Sequence, residues 1–118
     1  MTPDEELALV KKAILLGQTV SGCCEWHDRA VHRVEREPDL QGVTPDEIRT
    51  LTINFVVAGG RIHQVKEQRP EYNDYDFYYK IVFSVSELSH ELFVELRLVD
   101  SDADVPAVLI VNAHPQRN

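Results

Sequence analysis

Phe77-Tyr78-Tyr79-Lys80-Ile81-Val82-Phe83-Ser84-Val85 is the stretch on which the fold turns. Phe77, Tyr79, Ile81, Phe83 and Val85 alternate with Tyr78, Lys80, Val82 and Ser84, the period of a strand with one face on a core. Outward from it, residues 61–67, 92–99 and 107–114 are also of strand length and rich in β-branched or aromatic residues. Leu92, Val94, Leu96 and Leu98 alternate with Phe93, Glu95, Arg97 and Val99. Residues 107–114 are nearly all apolar, which predicts either a central strand covered on both faces or an edge packed on a partner. The links 69–74, 86–89 and 100–106 are polar and too short for the crossover that a parallel pair needs. The expectation is a four-stranded antiparallel meander.

The half before it reads as helical. Thr2-Pro3-Asp4-Glu5 offers an N-cap, a proline at the first helical position and acids at the positive end of the helix dipole. Leu7, Val10 and Ile14 follow at helical spacing, so a first helix is expected over about 3–17, with Gly17 as its stop. A second is expected over 24–37, with Trp26, Ala30 and Val34 as its apolar stripe and Pro38 ending it. Thr44-Pro45-Asp46-Glu47 repeats the opening tetrad as a capping box and starts a third helix over 45–58, closed by Gly59-Gly60. Helices first and strands after is the α+β pattern.

At 118 residues the chain has the size of one domain, and 43% apolar residues predict a packed core. No apolar run approaches the roughly 20 residues of a membrane span, and the first residues are acidic where a secretion signal is basic. A cytoplasmic, membrane-free protein is expected. The only cysteines, Cys23 and Cys24, are neighbours that cannot form an ordinary disulfide with each other. They read as small packing residues at the start of a helix. A formal charge of −8 disfavours non-specific binding of nucleic acid, while leaving room for a local basic patch.

Two groups of residues carry candidate chemistry. On the second helix Arg29, Arg33 and Arg36 recur at helical spacing with His32 among them, a face that can meet phosphate or carboxylate. The same spacing suits a solvated face in which Glu25 pairs with Arg29, or Asp28 with His32. On the sheet, alternation places Lys80, Arg97 and His114 on the side away from the core. A cation, an acid and a base are the parts that metal-independent cleavage of a ribose-phosphate needs. These three also suit ordinary outward positions with Glu95 neutralising a neighbour. Tyr72, Tyr75 and Tyr78 are placed to stack on a base. Cys23, Cys24 and His27 lack a second cluster at ligand spacing, and no phosphate loop, nucleophile elbow or H-E-x-x-H word occurs. Neither a metal nor another cofactor is expected.

Certain words carry a resemblance. Arg29-Ala30-Val31-His32-Arg33-Val34-Glu35-Arg36-Glu37 is similar to a helix reading H-A-x-x-R-M-x-x-R. Gly42-Val43-Thr44-Pro45-Asp46-Glu47-Ile48 follows, then Gly60-Arg61-Ile62 and the strands at 79–83, 93–99 and 108–112. In this order they resemble the bacterial domain of unknown function 4258, over about residues 10–114. Arg29 stands where that family has its leading histidine, with His27 and His32 displaced from it.

The family is similar in layout to the BrnT and RelE toxins, which pack helices on an antiparallel sheet and, when active, cut messenger RNA without metal. The resemblance implies a small bacterial protein that is an RNase-like toxin or a relative that has lost the activity. If it cuts RNA, the basic helix face and the polar sheet face suggest that Arg29, Arg33 and Arg97 hold phosphate, His114 or His32 moves protons and Lys80 stabilises developing charge. The acidic charge is opposite to that of RNA-cleaving toxins. It favours the alternative, a non-enzymatic module forming a homodimer or a complex with a protein partner through its sheet edge. A small-ligand binder using the aromatic run 72–79 is the third expectation.

Overall fold

The computed structural model describes residues 1–116 and has an α+β fold of three helices and a five-stranded mixed sheet. Helix α1 spans Pro3–Leu16 and begins in a full capping box: the Thr2 hydroxyl accepts from the Glu5 amide, and the Glu5 carboxylate accepts from the Thr2 amide. Helix α3, Pro45–Val57, starts at Thr44 in the same way on one side, its hydroxyl accepting from the Glu47 amide. Gly59, at φ +92°, supplies the left-handed residue just after it.

The second helix is shorter than its spacing predicts, and this changes the sheet. Cys24–Trp26 is a strand, β1, and helix α2 begins only at Asp28 and ends at Glu35. Strand β1 pairs in parallel with the last strand, Cys24 opposite Val108 and Trp26 opposite Ile110. The chain between these partners is long enough to return in the same direction, so the short links that favour an all-antiparallel sheet place no limit on this pair. His27 then caps α2, its Nδ1 accepting from the Arg29 amide. The cysteines therefore sit at a strand, not a helix start, and both are buried.

The other strands keep close to their expected places: β2 is His63–Lys66, β3 Phe77–Phe83, β4 Leu92–Asp100 and β5 Ala107–Pro115. The order across the sheet is β1-β5-β4-β3-β2, antiparallel apart from β1. Strand β5 is internal between β1 and β4, which explains its apolar run. None of the described helices is long and apolar enough to cross a membrane.

One core fills the space between helices and sheet. Tyr79, Ile81, Leu92, Val94, Leu96, Val108 and Ile110 meet Val10, Ala13 and Ile14 of α1 and Ile48, Ile53 and Val56 of α3, all buried. Polar groups pin the periphery. Arg49 donates to the carbonyls of Cys24 (2.6 Å) and Gly17 (3.0 Å), tying α3 to β1 and the end of α1. It also pairs with Glu25 at 3.5 Å, the acid that helical spacing assigns to Arg29. The buried Tyr79 hydroxyl donates to Glu6 and accepts from Gln64, and the loss of water around it raises its pKa.

Strand β5 has a bulge that matters for the site. Asn112 lies opposite Glu95 and Ile110 opposite Leu96, so Val111 has no partner on β4. The Val111 carbonyl accepts from Nη2 of Arg33 at 2.6 Å, which fixes that guanidinium against the sheet.

Candidate functional site

The sheet face away from α1 and α3 is not a solvated surface. Glu95 and Arg97 project from β4 on that side, yet they are 6% and 2% exposed, as buried as core residues. The connection between β2 and β3 folds over them and brings Glu67, Arg69, Tyr72 and Tyr75, and Tyr78 joins them from β3. Glu67 and Arg69 form a two-pronged pair, Nε to Oε1 at 2.9 Å and Nη2 to Oε2 at 3.0 Å. Arg69 Nη2 also donates to Glu95 at 2.8 Å, and Arg97 Nη2 donates to Glu95 at 3.2 Å and to Glu67 at 2.7 Å. The four charges close into an alternating ring whose formal charges cancel. Hydrogen bonds from Arg69, and less so from Arg97, hold the Glu67 carboxyl down at about 2 against the pull of burial. The same pairing raises the pKa of Arg69.

Aromatic rings cover the ring of charges. Arg97 lies 3.8 Å from the centre of Tyr72 and 5.0 Å from that of Tyr75, and Arg69 lies between Tyr72 (4.8 Å) and Tyr78 (5.0 Å). Nε and Nη1 of Arg97 are buried with no hydrogen-bond partner among the described residues. Contact with the tyrosine faces offsets part of what leaving them bare costs.

Beside this assembly is a cavity of about 300 Å³. His27 and Arg29 reach it from the start of α2, Arg33 from its last turn, Arg97 from β4, and Tyr72 and Tyr75 from the covering segment. Val99, Leu109 and Val111 give it an apolar floor. Two of the three arginines predicted on the helix face thus converge with the sheet arginine in one hollow. Arg36 and His32, both exposed, do not line it. A second hollow of about 390 Å³ shares Arg33 and is lined further by Glu37, Asn112 and His114.

Of the trio expected on the sheet, Lys80 is a diagonal neighbour of Arg97 and His114 is set apart from it. Lys80 lies opposite Glu95 and His114 opposite Phe93, whereas Arg97 is opposite Leu109. His114 is therefore four residues of strand from Arg97, roughly 13 Å at the rise of a strand. His114 stacks on Phe93, with ring centres 4.7 Å apart, and its Nδ1 donates to the Pro115 carbonyl at 2.9 Å. Lys80 neighbours His63 across the sheet, and burial, then Arg61 and Lys80, lower the pKa of that histidine. Glu95 does neutralise neighbours, and they are Arg97 and Arg69.

Glu67, Arg69 and His27 are members of this site that the sequence does not single out for it. One signal is present: Glu67-Gln68-Arg69 and Glu95-Leu96-Arg97 are the same Glu-x-Arg word, and a spacing of two puts both charges of each on one face. His27 carries no such mark, because its place depends on where β1 ends. Among the described residues no group of three or more His, Cys, Asp or Glu side chains is arranged to hold a metal ion.

Comparison with known proteins adds no relative: no family model, no curated protein and no solved structure matches this chain.

Proposed function

We propose that this protein binds single-stranded RNA in the cleft between α2 and the tyrosine segment, as a toxin-like or toxin-derived module. The single observation that carries the reading is the convergence of Arg29, Arg33 and Arg97 with Tyr72 and Tyr75 on one cavity. The exposed guanidinium groups of Arg29 and Arg33 can take phosphate, while Arg97, held by Glu67 and Glu95, backs tyrosines that can take bases. The two residue types together favour a nucleotide over a simple anion. The likeness of the helix and strand words to the domain of unknown function 4258 belongs to this proposal.

The reading is of binding and not of cleavage. Arg97 is engaged by two glutamates, and His114 stands off from it along the sheet. With a net charge of −8, capture depends on short-range contacts at the cleft and not on long-range steering. The test is fluorescence anisotropy of a labelled single-stranded RNA in chelator, with the same samples run on a gel. Binding should weaken steeply in the Arg29→Ala/Arg33→Ala double variant. The log–log salt slope should fall by about 0.7 for each phosphate that the variant no longer neutralises. No binding, or binding indifferent to both substitutions, overturns the proposal. Shortening of the RNA, abolished by His114→Ala, would restore the nuclease reading.

A second reading is favoured by strand β2, which has only β3 as a neighbour among the described residues and so offers an unpaired edge. Pairing of this edge with another chain would make the protein an interaction module. Sedimentation over a concentration series tests its homodimer form, which a monomer throughout would sink.

A further inference from the structure

We infer that the RNA site takes a dinucleotide splayed across Arg33, with one base against Tyr72 and Tyr75 and the other on His114. The inference rests on the RNA-binding reading and adds its length and internal order. Among the described residues Arg33 is the one side chain shared by the two hollows. Its hydrogen bond to the bulged Val111 carbonyl holds it at their boundary and leaves its remaining donors for a ligand. Among the described residues the hollow beyond it is lined by Glu37 and by no lysine or arginine besides Arg33, a lining that suits a base better than a second phosphate. His114, backed by Phe93 with only 17° between the ring planes, supplies the flat surface there.

The separation decides the conformation. Phe93, behind the His114 platform, and Arg97, under the tyrosines, are four residues apart on β4, about 13 Å. Successive stacked bases rise only about 3.4 Å, so two stacked bases would crowd one end and leave the other unfilled. Unstacked bases on either side of one phosphate fill both.

The experiment is a calorimetric titration with uridine monophosphate, the dinucleotide UpU and the trinucleotide UpUpU. The dinucleotide should bind about tenfold more tightly than the monophosphate, the gain expected of one further base stack. The trinucleotide should add little. His114→Ala should erase the dinucleotide's advantage, and His114→Tyr, which keeps a flat ring over Phe93, should retain it; the tyrosine variant serves if the alanine variant fails to fold. Equal affinity for monophosphate and dinucleotide, or a dinucleotide advantage that survives His114→Ala, overturns this inference while leaving RNA binding in place. Failure of longer single-stranded RNA to bind overturns the parent reading instead.

Discussion

The guanidinium carbon of Arg97 sits 3.8 Å from the centre of the Tyr72 ring, and this contact joins the buried ring of charges to the wall of the cleft. A residue engaged by two carboxylates beneath an aromatic cover is a support for the site's shape. The β2–β3 connection keeps its tyrosines over the sheet because Glu67 and Arg69, at its start, are held by Arg97 and Glu95.

Removing that support should destabilise the whole fold. Arg97→Ala leaves Glu67 and Glu95 buried with one cation fewer, and a loss of about 3–5 kcal/mol is expected in urea unfolding. Arg69→Ala should cost only about 1 kcal/mol, because the Arg69 side chain is 41% exposed and Arg97 still serves both acids. Equal losses for the two variants would mean that the ring is not organised around Arg97.

Glu67 ties stability to acid. Its carboxyl ionises at about 2 in the folded protein against an ordinary 4.5, so its contribution is fully present above about 4.5 and is lost as pH falls from there towards 2. Urea midpoints of the wild type should therefore fall between pH 4.5 and 2 more steeply than those of Glu67→Gln. Parallel pH profiles would show that the carboxylate is not stabilised by its arginines.

Both cysteines should be silent in the native state. Cys23 and Cys24 are 1% and 0% exposed, and burial pushes the Cys24 thiol up to about 12, so almost no thiolate is present at pH 8. A colorimetric disulfide reagent should react within minutes with both thiols of the urea-unfolded chain and with neither in the native one. Rapid native reaction at either residue would contradict the packing around β1.

Gly17, the residue that caps α1, packs closely against β1. A methyl group there would lie 2.7 Å from Cβ of Cys24, at a point that Arg49 already clamps through both backbone carbonyls. Gly17→Ala should cost about 1–3 kcal/mol in thermal or urea unfolding, since neither neighbour can give way cheaply. A neutral substitution would show that α1 and β1 can move apart without penalty.

The amino-acid sequence by itself determined the parts whose signal is local. Alternation over Phe77–Phe83 and Leu92–Asp100 marked strands and their core faces, and the two threonine caps marked where α1 and α3 begin, because each depends on neighbours a few residues away. Strand β1 left no such mark. Three residues are too few to display a period, and Cys24–Trp26 becomes a strand only by pairing with residues 108–110. The same holds for the site. Glu67 and Arg97 are 30 positions apart, and Arg33 and Val111 are 78. Tertiary structure alone decided that the covering segment would bury an outward-facing Arg97 between two acids and leave Arg29 and Arg33 to line the cleft, because pairing energy between buried charges depends on distances in space that spacing along the chain does not encode.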